Sequence, residues 1–328
     1  MKDKMMKAVR YHKFGRPDVL LIEDVPRPVP QDRQVLVEVF ATTVNSGDCH
    51  LRSGDPFIAR LFAGPITPKN KILGTTFSGR VAQVGKAVTK FQVGDEVYGS
   101  FGINSGTHAQ FLTIFEDETI SLKPDHLSHE EAASLVFGPI TALYFLKKSN
   151  INSHKRVLII GAAGGVGAYA VQIAKYFGAN VTGVCGTSDT DYVKELGADH
   201  IIDYKKQTLI EYCSKNNLKF DIILDMVCNT TISGIKSILH NGGSYTGTLA
   251  RLPLLIESAK KSQNKRFIFD VSKSTSEDID FFSQISQQGF LKPLVGDVFD
   301  ITRIQDAHHR VQARNKRGAV VVTMNNRI

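Results

Sequence analysis

The sequence predicts an α/β protein in which a β-rich domain is interrupted by a doubly wound domain with a parallel sheet. Three observations predict this fold class. Short β-branched segments and turns fill the first 120 residues, strand and helix patterns alternate from about residue 128, and a glycine-rich turn joins an apolar strand to a helix. The chain has 328 residues, enough for two such domains with cores of their own.

The predicted strands of the β-rich domain come first along the chain. The stretches "QVLVEVFATTV" (34–44) and "GRVAQVGKAV" (79–88) are β-branched or alternate between apolar and polar residues. The stretch "KFQVGDEVYGSF" (90–101) places a Gly-Asp turn before another short strand. Few helical patterns occur in this region, so we expect a barrel-like or sandwich-like module.

A helix is predicted to begin at Ser128. Glu131 follows three residues later and completes a capping box, and Pro139 is expected to begin a second half of the helix or to kink it. Apolar strands then alternate with helical stretches of 10–15 residues, from "RVLIIGA" to "SYTGTL". This alternation predicts βαβ units and a parallel sheet.

The alternation ends near "RFIFDV" (266–271). Helices are predicted at about 276–288 and 303–314, followed by a final strand in "GAVVVTM". We expect His308 and His309, on the second of these helices, to face solvent. We expect the same of Lys147 and Lys148, on the helix that begins at Ser128. The predicted domains are a β-rich domain at 1–124 and 275–328 and a parallel-sheet domain at 125–274.

The turn between "RVLII" and the next helix predicts a dinucleotide site. Glycine in this turn lets the backbone approach a pyrophosphate, and the helix N-terminus offers free N–H groups and the positive end of its dipole. The turn follows a predicted strand and opens a helix within a βαβ unit, which is the context that makes a glycine pattern informative. The residues predicted to contact the cofactor here are Ala163, Gly164, Gly165, Val166 and Gly167.

The end of the next strand, "NVTGVCGTSD", bears on which dinucleotide binds. NAD sites usually place Asp or Glu there to hold the ribose 2′-OH. No carboxylate stands at this tip, and Tyr204 and Lys205 could add a phenol and a cation. We therefore expect NADPH, although the carboxylates of Asp189 and Asp191 favour NADH. The tip residues expected at the 2′-phosphate are Cys185, Gly186, Thr187 and Ser188.

Composition bears on the cellular location of the protein and on membrane and nucleic-acid partners. The net charge is +8, but the 40 basic residues are dispersed and no nucleic-acid motif accompanies them. The four cysteines form no C-x-x-C pair, which indicates a reducing compartment. The weakly polar run Val157–Ala174 contains glycines and a glutamine, so it is a poor membrane span. We expect a cytoplasmic protein with no membrane or nucleic-acid partner.

The stretch "VNSGDCHLRSG" (44–54) raises the question of a metal site. Cys49 and His50 are adjacent, and zinc favours sulfur with imidazole. On a strand, however, neighbouring side chains point to opposite faces, and we find no third ligand. We therefore predict no metal and expect Cys49 to be a small buried residue.

These stretches together resemble the medium-chain dehydrogenase/reductase superfamily, in its zinc-independent quinone oxidoreductase branch. The resemblance spans nearly the whole chain and is also carried by "LGTTFSGRVAQVGKAV", "LGADHIIDY" and "KRGAVVVTM". It implies a GroES-like catalytic domain, a Rossmann cofactor domain and, as in many relatives, a homodimer. It also implies that Asn45, Thr75 and Phe137 stand where zinc-dependent relatives have their cysteine, histidine and third ligand.

The resemblance implies NADPH-dependent reduction of a quinone or an α,β-unsaturated carbonyl, a small-molecule substrate. Conjugation spreads the developing charge that zinc would otherwise stabilise. Asn45 could donate to the oxyanion or to the nicotinamide ribose, Asp48 could fix the loop or His50, and His50 could supply a proton. Further cofactor contacts are implied at Thr141, Asn229, Gly247 and Thr248.

Two other functions stay open at this point. An enoyl-thioester reductase would also use NADPH without zinc, although its usual tyrosine proton donor is replaced here by His50. Some relatives bind AU-rich RNA, so an NADPH-sensing or RNA-binding protein is the non-enzymatic alternative; the sequence shows no aromatic stacking surface for it.

Overall fold

The computed structural model describes residues 4–57, 59–102, 105–247, 264–313 and 316–324. The chain separates into two compact units. Met1–Phe137 and Ser274–Ile328 form the β-rich unit, and Gly138–Lys273 form the parallel-sheet unit.

Strands and helices are numbered along the chain. The strands are β1 (Met5–Arg10), β2 (Leu21–Pro26), β3 (Gln34–Val44), β4 (Thr76–Val84), β5 (Glu96–Ser100), β6 (Phe111–Phe115), β7 (Ile120–Leu122), β8 (Arg156–Ile160), β9 (Asn180–Cys185), β10 (His200–Asp203), β11 (Phe220–Asp225), β12 (Leu239–Gly247), β13 (Arg266–Phe269), β14 (Val295–Asp300) and β15 (Ala319–Thr323). The helices are α1 (Ser46–Ser53), α2 (Ala59–Ala63), α3 (His129–Lys148), α4 (Gly167–Tyr176), α5 (Thr190–Glu195), α6 (Leu209–Lys215), α7 (Ile232–Ile238), α8 (Ser276–Gln287) and α9 (Ile304–Gln312).

The β-rich unit is built on a seven-stranded sheet in the order β14-β15-β3-β4-β5-β7, with β6 also paired to β3. Only β14 and β15 pair in parallel; the other neighbours are antiparallel. The long strand β3 is at the centre because its β-branched residues suit a pleated, buried surface. The core of this unit includes Val35, Val37, Val39, Phe77, Val97, Leu112 and, from the helices, Cys49, Ala307 and Val311.

Helix α1 replaces the strand that the metal argument assumed around Cys49 and His50. Asn45 is its N-cap, with a capping box to Asp48, and Gly54 ends the helix in the left-handed conformation at φ 66°. The local sequence therefore specifies a two-turn helix, and the assumption of a strand is wrong. Adjacent residues on a helix also diverge, by about 100°.

The parallel-sheet unit carries six strands in the order β10-β9-β8-β11-β12-β13. Every neighbouring pair is parallel. The strand order reverses between β8 and β11, where ligands bind doubly wound sheets beyond the carboxyl ends of the strands. The predicted fold class, a GroES-like β-rich domain with a Rossmann parallel-sheet domain, is confirmed.

Helix α3 runs without interruption through Pro139, so the expectation that a second half begins there is wrong. Its predicted start is confirmed: the Glu131 backbone N–H donates to Ser128 Oγ, and the Ser128 N–H donates to Glu131 Oε2. The two predicted C-terminal helices are present as α8 and α9. Among the helices within the described ranges, none is both long and apolar enough to cross a membrane.

Candidate active site

The glycine-rich turn connects β8 to α4 in the parallel-sheet unit. A Cβ at Gly167 would lie 2.1 Å from the backbone oxygen of Gly161, so only glycine allows the helix to start this close to the strand. Val166 is the N-cap of α4 and supplies no side-chain hydrogen bond to the first turn. The Ala168 N–H already donates to the Gly164 carbonyl at 2.9 Å, so an anion at this helix start would rely on the other N–H groups of the turn.

These features fit the pyrophosphate of a nicotinamide dinucleotide. The close turn removes side-chain bulk where phosphates would lie, and the uncapped helix start supplies donors and positive potential. Ala163, Gly164 and Gly165 complete the same turn, as the sequence predicted; their contacts to a cofactor stay a prediction.

The sequence predicted no carboxylate at the end of β9, but the structure places one there. Asp203, at the end of neighbouring β10, pairs in register with Cys185. Thr187 Oγ1 donates to Asp203 Oδ2 at 2.7 Å, and this hydrogen bond lowers the pKa of Asp203. Sequence reasoning used Tyr204 and Lys205 after the next strand but missed the carboxylate of Asp203 immediately before them.

Tyr204 also lies at this tip, as the sequence predicted. It is 54% exposed, and its hydroxyl would be 3.3 Å from a Cβ placed on Gly186. Lys205 Nζ lies 5.4 Å from the centre of the Tyr204 ring. Ser188 is exposed in the short 3-10 turn that follows Gly186.

The remaining predicted cofactor residues of this unit fall into two places. Thr141 is buried on α3, with its hydroxyl 3.4 Å from that of Ser272. Asn229 is exposed after β11, and Gly247, at the end of β12, would bring a Cβ to 3.2 Å from Cys228 Sγ. Gly247 and the Asn229 turn therefore lie together at the carboxyl ends of adjacent strands. Thr248 lies outside the described residues.

Asp225 orders the turn before Asn229 and was not recognised from the sequence. Its Oδ1 accepts from the backbone N–H groups of Val227 and Cys228, and Tyr245 Oη donates to its Oδ2 at 3.0 Å. Burial raises the pKa of Asp225, and these donors oppose the shift. An aspartate at the end of a buried strand was the signal available in the sequence.

Asn45 and Asp48 form a fixed constellation in the β-rich unit. Asp48 Oδ2 accepts from the Asn45 backbone N–H at 2.8 Å, and its Oδ1 accepts from the Gly74 N–H at 3.2 Å. Asn45 Oδ1 accepts from the Asp48 N–H, and Asn45 Nδ2 donates to Thr75 Oγ1 at 2.9 Å. Asp48 thus holds the loop of Asn45 to the loop of Thr75, one of its two predicted roles.

The Gly74 loop needs its glycine. Gly74 has φ +93°, and a Cβ there would lie 2.3 Å from Thr107 Oγ1. Complete burial raises the pKa of Asp48 to about 7, although its two backbone donors act in the opposite direction. Asp48 therefore lies between its ionised and neutral forms near neutral pH.

His50 is half-buried on α1, and its imidazole contacts Asp55. Its Nδ1 lies 2.7 Å from the carbonyl oxygen of Asp55. A carbonyl only accepts, so Nδ1 carries a proton and the neutral ring has its lone pair on Nε2. His50 can therefore accept a proton at Nε2, or donate one from there as an imidazolium.

Cys49 is buried, as predicted, and contacts His308 instead of His50: Cys49 Sγ lies 3.5 Å from His308 Nδ1. His308 itself is completely buried on α9, so the prediction that it faces solvent is wrong. Ile304, Ala307 and Val311 are buried with it, because positions three, four and seven apart share one helix face. That spacing was visible in the sequence.

None of the described residues forms a group of three or more His, Cys, Asp or Glu side chains able to hold a metal ion. At two of the positions where the resemblance places zinc ligands, Asn45 and Thr75 hydrogen-bond to each other. The third position, Phe137, lies on α3.

Comparison with known proteins identifies the family. Residues 31–124 match the family model described as an alcohol dehydrogenase GroES-like domain, and residues 196–322 match the one described as a zinc-binding dehydrogenase. The quinone oxidoreductase of Sus scrofa is 30% identical over 333 residues, covering 98% of each chain. The chain belongs to the quinone oxidoreductase family. It is thus a member of the medium-chain dehydrogenase/reductase superfamily and an oxidoreductase with a nicotinamide cofactor domain.

Solved structures agree with this family. The quinone oxidoreductase of Coxiella burnetii superimposes with a TM-score of 0.87 and 27% identity, over 98% of this chain and 99% of that one. The CurK enoyl reductase superimposes with a TM-score of 0.82 and 27% identity, over 98% and 100%. A quinone oxidoreductase and an enoyl reductase are therefore both similar to this chain over its length.

Proposed function

We propose that this quinone oxidoreductase family member reduces quinones or α,β-unsaturated carbonyls with NADPH and without zinc. The observation that carries the proposal is the hydrogen bond from Asn45 Nδ2 to Thr75 Oγ1. An amide and a hydroxyl satisfy each other at two positions where zinc-dependent relatives have ligands, and neither group is a usual zinc ligand. The matching family model is described as zinc-binding, so the proposal rests on these residues and not on the family description.

Asn45 is suited to stabilise a developing oxyanion. Its Oδ1 is committed to the Asp48 N–H and one Nδ2 proton to Thr75, so the orientation of the amide is settled. The second Nδ2 proton is left to donate. A donor fixed in advance and aimed at an oxyanion is worth about 3 kcal/mol. A conjugated acceptor needs no stronger Lewis acid, because its negative charge is already delocalised.

When bound, the reduced nicotinamide supplies the hydride. The β8–α4 turn binds the pyrophosphate through backbone N–H groups. At the tip of β9, the Tyr204 hydroxyl and the Lys205 ammonium favour a 2′-phosphate. The carboxylate of Asp203 would repel a 2′-phosphate. It also accepts the hydrogen bond of the Thr187 hydroxyl, which is then not donated to the phosphate. We therefore propose NADPH as the preferred donor, with Asp203 limiting the preference.

Reduction of an enone or quinone also consumes a proton at oxygen or carbon. His50 can deliver one from Nε2, since its Nδ1–H is held by the Asp55 carbonyl. The half-buried ring can regain a proton from solvent. Asp48 is a positioning residue in this scheme, because both of its oxygens are used by backbone N–H groups.

The test is steady-state NADPH oxidation with a quinone and an enal in parallel. Asn45→Ala should lower kcat about 100-fold for both acceptors. Thr75→Val should have a smaller effect, since it only frees the amide to rotate. Asn216→Ala, which removes an exposed amide at the end of α6, is the matched control. An Asn45→Ala enzyme with wild-type kcat would contradict the proposed role.

A second candidate is reduction of an enoyl thioester. The similarity to the CurK enoyl reductase favours it, and the oxyanion chemistry of Asn45 would serve a thioester enolate equally. Crotonyl-CoA belongs in the same assay. A kcat/KM far above those for quinone and enal would make the thioester the substrate class.

A further inference from the structure

The guanidinium group of Arg52 is buried without a hydrogen-bond partner. Arg52 lies on α1, its side chain is completely inaccessible, and Nε, Nη1 and Nη2 each lack an acceptor within the described part of the chain. A guanidinium stays protonated in proteins and offers five donors. A buried charge without compensation is strongly unfavourable, so the native protein must supply something that accepts from it.

No neighbouring carboxylate supplies that acceptor. The carboxylate that acts on Arg52 is Asp18, which is exposed and forms no hydrogen bond with it. The other nearby groups are the thiol of Cys49 and His308, whose pKa is lowered mainly by burial and further by the charges of His108 and Arg52. Burial raises the pKa of that thiol to about 12, so it stays neutral.

His308 adds a second unsatisfied group next to Arg52. Its Nε2 is buried and has no partner. Cys49 Sγ lies 3.5 Å from Nδ1 and 3.9 Å from the His308 carbonyl oxygen. The guanidinium of Arg52 presents donors only.

Lys316 adds to the positive charge of this region. It is half-buried, and its ammonium donates to the Gly318 carbonyl. The charges of Arg52 and Lys316 both lower the pKa of the Cys49 thiol, against the larger opposing effect of its burial, so the two cations share one neighbour. A water molecule could accept a hydrogen bond here but would leave the charge uncompensated. An anion does both.

We propose that a small monovalent anion, of the chloride class, binds within the β-rich unit at the Arg52 guanidinium beside His308. The anion compensates the buried charge and accepts from the unpartnered donors. Because Arg52 is on the same helix as Asp48 and His50, the bound anion stabilises the position of the helix that carries these candidate site residues.

The test compares thermal unfolding in sodium chloride and in sodium gluconate at equal ionic strength. A ligand that binds only the native state raises the Tm with its concentration. At tenfold excess over the dissociation constant the wild-type Tm should rise on the order of 3 °C. Arg52→Met should lose this dependence. Arg16→Met, which removes an exposed guanidinium of the same unit, should keep it.

A crystal of the wild-type protein grown in sodium bromide gives a second measurement that needs no variant. We expect an anomalous bromide peak in contact with the Arg52 guanidinium. Water density alone at that position, with equal Tm in chloride and gluconate, would overturn the proposal. So would a guanidinium found bonded to backbone carbonyls. An Arg52→Met variant that is stable and insensitive to chloride would support it.

Discussion

The ionisation of Asp48 should make the β-rich unit less stable as pH rises. Burial raises its pKa from 3.8 to about 7 against the opposing effect of the N–H donors of Asn45 and Gly74. Between about pH 4 and pH 7 the native state therefore holds a proton that the unfolded chain has released. Stability falls over this window by at most about 1.4 kcal/mol per pH unit and is constant above it.

The structure sets the size of the effect. A shift of about three pKa units corresponds to roughly 4 kcal/mol across the window, of which about 3 kcal/mol falls between pH 5 and pH 8. Asp48→Asn removes the titration. It also turns one acceptor into an N–H₂ group facing a backbone N–H, at a cost of about 1–3 kcal/mol at every pH. The variant should thus be less stable than wild type at pH 5, and this deficit should shrink or reverse at pH 8.

The assay is urea unfolding from pH 5 to pH 8, followed by circular dichroism because the chain has no tryptophan. Hydrogen exchange of α1 and β3 reports on the β-rich unit separately. Asp32→Asn, which removes an exposed carboxylate of the same unit, is the control and should stay parallel to wild type. Parallel curves for wild type and Asp48→Asn would refute the reasoning.

Three further predictions concern the parallel-sheet unit. Asp203→Asn should raise the ratio of kcat/KM for NADPH over NADH about tenfold, because the Asp203 carboxylate repels a 2′-phosphate and a like charge near the surface costs about 1–4 kcal/mol. An unchanged ratio would show that Asp203 does not affect the choice of cofactor. Gly167→Ala should abolish NADPH binding in a titration, since its methyl would lie 2.1 Å from the Gly161 oxygen, and retained affinity would contradict the proposed phosphate turn. Thr208→Ala should lower the free energy of unfolding by about 1 kcal/mol, as it removes the capping box with Glu211 at the start of α6; no change in urea unfolding would count against that cap.

Features with local causes could be predicted from the sequence. The capping box of Ser128 and Glu131 lies within one turn of α3, and the glycine turn lies within one βα unit. Helix α1 had an equally local signal, the capping box of Asn45 and Asp48 before Gly54. The adjacent cysteine and histidine drew the interpretation to a metal site instead, and the capping signal was overlooked.

Features that depend on register or on packing between distant segments could not be predicted. Asp203 reaches Thr187 because β10 pairs with β9 in one particular register. Asn45 meets Thr75 only through the fold of the β-rich unit. The contact between Cys49 and His308 joins α1 to the C-terminal helix α9, which no local pattern relates.

The central claim is reduction of a conjugated acceptor by NADPH without zinc. It is tested most directly by NADPH oxidation after exhaustive dialysis against a chelator, with 1,4-benzoquinone, 9,10-phenanthrenequinone and a simple enal as acceptors. The account predicts full turnover in the chelated protein, no gain on adding zinc, and a clear preference for NADPH over NADH. Activity that is lost on chelation and restored by zinc would contradict it.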